Sequence, residues 1–445
     1  MNSILIFGAG KSATSLIEYL ITCCEENVWT LMVCDADKAL AESKINGAKT
    51  AQAISIDVSN ETERNSLVQQ VDLVISMLPP HLHFLVAQDC LLYSKHLLTA
   101  SYVDEKIKSL EKKIKEKKLL FLCEMGLDPG IDHMSAMKII HRVKKDGGEI
   151  TSFKSHCGGL VAPENDDNPW HYKITWNPGN IIMAGSSGAV YRINGETLHI
   201  PYPDVFSNCN EVNIPGLFAL AWYPNRDSLS YIDTYKLDGV DTFIRTTLRF
   251  SSFCRGWNKI VNLGFTSLTD FEEIKACKTY AQWFNKKLHN ASIFGSSNLE
   301  SPINDNGFFD DEFSQQIGYL GIRSETPIDF KFTSSASILQ HLLETKLAIH
   351  PHEKDMIVML HEVEYKLNGE SKMIVSSLII KGSDQVHTAM AKTVGLPLGI
   401  AAKLIMERKI KLTGLHIPVV PEIYEPVLDE LENHGIKFNE EVIAL

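Results

Sequence analysis

Positive charge is what this sequence is short of: 43 Lys and Arg stand against 55 Asp and Glu, a formal net charge of −12. A nucleic-acid binder needs a basic face to displace phosphate counterions, so that class is excluded, although a local basic pocket for an acidic small molecule is not. Paired cysteines are missing too. The nine cysteines are odd in number, scattered, and include no CxxC, which fits reduced thiols inside a cell better than a disulfide framework. No apolar stretch approaches the roughly 18 to 20 residues of a membrane span. Met1 is followed almost at once by Ile4-Leu5-Ile6-Phe7, leaving no room for a leader peptide. The expectation is a cytoplasmic protein with no nucleic-acid and no membrane partner. Repeats and low-complexity segments are also lacking. His81 with His83, and His350 with His352, are HxH pairs without a third ligand at recognisable spacing, so no metal site is expected.

What is present points first to a nucleotide. A chain of 445 residues, 44% hydrophobic and 22% charged, is long enough for two or three globular domains. Ile4 to Phe7 reads as a strand buried on both faces. Gly8-Ala9-Gly10-Lys11-Ser12-Ala13 follows directly, and Ala13, Leu16, Ile17 and Leu20 then share one helical face. Strand, glycine turn and amphipathic helix are the context in which GxGxxA denotes dinucleotide binding. Gly8 permits the tight turn, Gly10 lets the backbone approach the pyrophosphate, and small Ala13 lets helix and strand pack closely. The helix start, at Lys11 and Ser12, offers N–H groups to the phosphates. A second strand, Val28 to Cys34, ends in Asp35, about 25 residues past Gly10. That carboxylate is placed to accept the ribose hydroxyls, and a 2′-phosphate would meet its charge. NAD is therefore favoured over NADP, with Lys38 able to soften the conflict.

The alternation continues with strands at Ala53–Val58, Leu73–Leu78, His96–Ala100 and Leu119–Cys123, separated by helices that include the charged stretch Asp104–Lys118. This implies an α/β fold with a Rossmann doubly wound parallel sheet. Ligands in such sheets sit beyond the strand C-termini, which directs attention to Asp57-Val58, Met77-Leu78-Pro79, Ser101-Tyr102 and Leu127-Asp128-Pro129. After Gly130, segments rich in Gly, Asn, Pro and aromatics suggest a sheet with long loops. Residues 1–128 are expected to form the dinucleotide domain, completed by about 388–430. Residues 129–387 would form a mixed α/β substrate domain, with a helical insertion at about 263–350 that is interrupted by the polar segment Gly295 to Gly307. Strands are expected again at Met356–Tyr365 and Ile374–Ile380, and a helix at Thr388–Met406 carrying a Gly-Leu-Pro-Leu-Gly interruption.

Eight ordered segments together resemble one family. They are Ala100-Ser101-Tyr102; Gly126-Leu127-Asp128-Pro129-Gly130-Ile131-Asp132-His133; Cys157-Gly158-Gly159 with Ala162-Pro163-Glu164 and Asn168-Pro169; and Trp176 followed by Pro178. After these come Tyr223-Pro224-Asn225-Arg226-Asp227-Ser228, Thr247-Leu248-Arg249-Phe250, Glu353-Lys354-Asp355-Met356, and the run Ala389 to Pro397. In this order they resemble the saccharopine dehydrogenases of the L-glutamate-forming type, also called saccharopine reductases. The resemblance implies oxidation of saccharopine by NAD(P)⁺ at the lysine ε-carbon, and hydrolysis of the imine to L-glutamate and 2-aminoadipate 6-semialdehyde.

The resemblance also implies roles. Ser101, Tyr102, Asp128, Cys157, Arg226 and Arg249 would bind substrate, with Asp128, Tyr102 and Cys157 nearest the chemistry. Trp176, with Met77, Leu78, Pro79, Leu127 and Pro129, would line the cofactor. A substrate with three carboxylates suits fixed Arg forks, and an amine that must lose its proton suits a nearby carboxylate. The bland readings are an inert buried thiol at Cys157, a turn-forming Asp128 before Pro129, ion pairs for the arginines, and a core or capping role for His133. Two rival functions stay open. One is a related amine dehydrogenase such as carboxynorspermidine dehydrogenase; the other is a non-catalytic nucleotide-sensing protein. The residues leave the oligomeric state open, a homodimer included.

Overall fold

A computed structural model describes residues 2–207, 209–294, 308–329 and 331–445; the expected polar segment Gly295–Gly307 lies outside these. The chain divides into two units, one of Met1–Gly148 with Gly382–Phe438 and one of Glu149–Lys381 with Asn439–Leu445.

In the first unit the short apolar runs become parallel strands because helices cover both of their faces. They are β1 (Ser3–Phe7), β2 (Thr30–Asp35), β3 (Ala51–Ser55), β4 (Leu73–Ser76), β5 (His96–Thr99) and β6 (Leu120–Leu122), with the short strand Gly414–His416 added beside β6. Their order is β3-β2-β1-β4-β5-β6, so the direction of winding reverses between β1 and β4. The glycine turn follows β1 at that switch point, where such sheets bind ligands.

Helix Thr14–Asn27 buries Leu16, Ile17 and Leu20, the expected face. Helix Ala389–Met406 crosses it closely, for a Cβ on Gly395 would lie 2.8 Å from the Leu16 amide nitrogen. Pro397 sits inside that helix without ending it, so the expected interruption is a close-packing site and not a break. The same helix corrects another expectation. It is 18 residues long and apolar enough to cross a membrane by length and composition, but 83% of it is buried inside the protein. Two other boundaries shift. β3 ends at Ser55, not near Asp57, because Ile56 donates to the Asp35 carbonyl and Asp57 then closes a turn on Ser59. The stretch Asp104–Lys118 is two short helices, Glu105–Lys108 and Glu111–Glu116.

The second unit is built on a mixed sheet. Its centre is β7 (Glu149–Val161), and the following strands are β8 (Ala189–Ile193), β9 (Glu196–Ile200), β10 (Asn210–Asn213), β11 (Ala219–Pro224), β12 (Arg226–Asp227), β13 (Thr242–Arg249), β14 (Asp355–Leu367) and β15 (Glu370–Lys381), with Asn439–Ala444 at one edge. β7 runs parallel to β13 and antiparallel to β14. Helices Ser251–Asn262, Tyr280–Phe294, Asp311–Leu320 and Ser335–Lys346 share a core around the buried Trp170, Trp257 and Trp283.

Candidate active site

The nucleotide end is dictated by backbone geometry. Gly8 has φ +100°, and a Cβ there would lie 2.9 Å from the Met77 carbonyl oxygen; only glycine fits. At Gly10 a Cβ would meet nothing within 4 Å, which leaves its face open to an incoming group. No side chain caps the following turn, Lys11–Ala13; the Ala13 N–H donates to the Gly10 carbonyl at 3.0 Å, which leaves the Lys11 and Ser12 N–H groups for an anion. Lys11 is exposed, Ser12 half-buried and Ala13 buried. Asp35 ends β2, its Oδ2 accepting the Ala9 N–H at 2.7 Å and its Oδ1 the Asp37 N–H at 3.0 Å. Lys38 pairs with Glu42 instead. Met77 and Leu78 are half-buried and Pro79 exposed beyond β4. Asp57 is exposed and held below the usual carboxylate range by the Ser59 hydroxyl and N–H, while Val58 packs into the core. An open glycine face, an uncapped turn and a carboxylate on adjoining strand ends fit a dinucleotide.

Two more strand ends on the same edge carry polar groups. Ser101 and Tyr102, both half-buried, follow β5, and Tyr102 donates its hydroxyl to Asp128 Oδ1 at 3.3 Å. Asp128 is the half-buried tip of a tight turn in which Leu127 and Pro129 are buried. Gly126 donates to the Pro129 carbonyl, and a Cβ on Gly130 would lie 2.0 Å from the Gly126 carbonyl oxygen. Buried groups absent from the sequence reading as partners brace this turn. Glu124 Oε1 accepts the Val103 N–H at 3.1 Å, and His133 Nε2 lies 2.9 Å from Glu124 Oε2. His133 is thus a core histidine. His83 lies 2.7 Å from the Ser101 hydroxyl. No short-range pattern announces Glu124 or His83, since their partners are distant in sequence.

In the second unit Cys157 lies on β7 between Thr247 and Met359 of the flanking strands and is buried. Gly158 beside it is obligatory, because a Cβ there would sit 2.6 Å from the Leu248 carbonyl oxygen. Arg249 is buried; its Nη1 donates to the Leu248 carbonyl at 2.7 Å and the Gly159 carbonyl at 3.3 Å, and its guanidinium lies 5.0 Å from the Tyr172 ring centroid. Its Nε is buried without a hydrogen-bond partner among the described residues. The Trp176 indole N–H donates to the Tyr172 hydroxyl at 3.1 Å. In the run Asn225–Ser228, Asp227 caps the next turn through the Leu229 N–H and Ser228 is fully buried, accepting from the Arg245 N–H. Arg226 is exposed and holds φ +50°. Among the described residues, no three His, Cys, Asp or Glu side chains are grouped as a metal site would need.

A glycine loop at the switch point of a doubly wound sheet, joined in one chain to a mixed-sheet unit, defines a nicotinamide-dinucleotide oxidoreductase. The chain belongs to the saccharopine dehydrogenase family: its NADP binding domain matches residues 4–122 and its C-terminal domain residues 126–436. The saccharopine dehydrogenase (NADP(+), L-glutamate-forming) of Schizosaccharomyces pombe is 32% identical over 100% of this chain and 99% of its own length. The alpha-aminoadipic semialdehyde synthase of Arabidopsis thaliana is 36% identical over 90% of this chain, which spans only 39% of that relative. The solved saccharopine dehydrogenase (L-Glu forming) of Saccharomyces cerevisiae is 28% identical, with TM-score 0.87 and 100% of both chains covered.

Proposed function

We propose that this chain oxidises saccharopine with NAD(P)⁺ and water, giving L-glutamate, 2-aminoadipate 6-semialdehyde, NAD(P)H and a proton. The observation that carries the reading is the Tyr102–Asp128 hydrogen bond, which sits on the same sheet edge as the open glycine loop. The dinucleotide, held at the Gly8–Gly10 loop, would supply the hydride acceptor for the carbon next to the secondary amine. The protein must keep that amine neutral and later direct water at the imine carbon. Asp128, whose carboxyl group accepts the Tyr102 hydroxyl, would serve both tasks. Arg226 would offer its guanidinium to a substrate carboxylate, and Arg249 Nε would offer a buried N–H that has no hydrogen-bond partner among the described residues. Cys157 would bound the substrate as a buried thiol, and Trp176 would flank the cofactor.

The cofactor proposed is NAD⁺. The fungal relatives are named for NADP(+), but Asp35 here holds a carboxylate at the end of β2, where a 2′-phosphate would be repelled. Purified protein is to be mixed with saccharopine and each cofactor, and the growth of reduced-nicotinamide absorbance followed. Turnover is expected with both, with the higher kcat/KM for NAD⁺. A higher kcat/KM for NADP⁺ would refute the Asp35 reading alone, and no turnover with either would refute the whole proposal.

A further inference from the structure

Of the two histidines in His81-Leu82-His83, His81 is exposed, whereas His83 opens helix His83–Leu92 and is 4% exposed. Its ring spans two neighbouring strands. Nδ1 lies 2.7 Å from the hydroxyl of Ser76, the last residue of β4, and Nε2 lies 2.7 Å from the hydroxyl of Ser101, just past β5. The Ser101 backbone is pinned as well, its N–H donating to Thr99 Oγ1 at 3.2 Å. Burial drives the His83 pKa down to about 4 against the pull of Asp104, so the ring is neutral near pH 7, with one donor and one acceptor.

Which nitrogen donates follows from Ser76. That serine is fully buried, and among the described residues its hydroxyl has no side-chain partner other than His83. A proton on Nδ1 would leave the Ser76 O–H without an acceptor, the costly arrangement for a buried hydroxyl. Ser76 therefore donates to Nδ1, and the ring proton sits on Nε2. Nε2–H then occupies a lone pair of Ser101 Oγ, and the Ser101 O–H is left to donate elsewhere.

We propose that His83 is a positioning residue that fixes the Ser101 hydroxyl as an outward donor, so that this corner of the site selects an anionic oxygen, a substrate carboxylate, over an ammonium group. The proposal rests on the reading that Ser101 meets saccharopine. It explains why a neutral imidazole is buried between two serines beside the strand ends, where a metal or proton-transfer role finds no third group.

Two measurements test it. Long-range proton–nitrogen NMR correlation on protein labelled with ¹⁵N-histidine, with H83Q assigning the resonance, should show the Nε2–H tautomer in the free enzyme; an Nδ1–H tautomer overturns the proposal without any assay. Steady-state kinetics should show H83F raising the saccharopine KM roughly tenfold or more, the loss of one hydrogen bond to a charged group, with cofactor KM unchanged. H83Q, which retains an N–H donor, should recover most of the loss, and S101A combined with H83F should cost no more than S101A alone. An unchanged KM in folded H83F, or additive losses in the double variant, overturns the proposal. If the wild type does not turn over saccharopine at all, the proposed function falls, whereas the tautomer measurement still reads the hydroxyl direction.

Discussion

Arg226 and His83 are held in place in very different ways, one at the surface and one by burial. Arg226 is exposed with φ +50°, a left-handed backbone that an L-residue adopts at some cost and keeps where its surroundings enforce it. Its neighbours Asp227 and Ser228 are spent on local hydrogen bonds. Arg226→Ala should raise the saccharopine KM on the order of 10- to 100-fold with cofactor KM nearly unchanged, as expected for loss of a charge-assisted clamp; an unchanged KM would make the residue structural. His83 adds a pH dependence. Its pKa falls from 6.5 to about 4 on folding, by burial first, with Asp104 opposing and His81 assisting. Between those values the unfolded chain binds a proton that the native state does not, so stability falls as pH drops through that window. Replacing His83 by Gln should make the slope of unfolding free energy against pH shallower by up to about 1.4 kcal/mol per pH unit between pH 4 and 6.5. Equal slopes in denaturant titrations of the two proteins would contradict this. Gly8 and Asp35 were picked out in the sequence by motif spacing, Asp128 by its place beyond a strand end, and Arg226 only through the family resemblance. Glu124, His83 and the carbonyl contacts of Arg249 were not, because burial and distant partners define them.

At the scale of elements, the glycines separate packing from binding. Gly158 lets β7 and β13 lie side by side, and a Cβ there would press on the Leu248 carbonyl. Gly158→Ala should lower stability by about 1–3 kcal/mol, the usual cost of an overpacked contact, as read from the denaturation midpoint. Gly10→Ala adds its methyl to open space, so the midpoint should hold while dinucleotide affinity drops. Equal effects on stability would erase the distinction. The parallel strands were readable as apolar runs because strands buried on both faces have no polar alternation to obscure them. Their ends were less so. β3 stops early because the Asp57–Ser59 turn competes with the sheet, and the Asp104–Lys118 stretch breaks into two helices at a tight hydrogen bond from the Leu110 N–H to the Ile107 carbonyl. The apolar length of helix Ala389–Met406 was underestimated because its Gly and Pro read as breakers, while in the fold Pro397 continues the helix and Gly395 and Gly399 let it pack closely against helix Thr14–Asn27.

For the whole molecule, a net charge of −12 and a substrate with three carboxylates are compatible, because a few arginines in a low-dielectric setting outweigh distant charge. The family-level order of segments was legible from one end of the chain to the other, and the sheet topology places the first unit's strand-end residues on one edge. The proposed NAD⁺ preference differs from the NADP(+) in the names of the fungal relatives, and it hangs on Asp35. The most direct test of the account is therefore a single assay series: reduced-nicotinamide formation by the purified chain with saccharopine and either NAD⁺ or NADP⁺, with L-glutamate quantified in the same samples. The account predicts one L-glutamate per reduced nicotinamide and a higher kcat/KM for NAD⁺. Folded protein that binds dinucleotide yet forms neither product with either cofactor would contradict it.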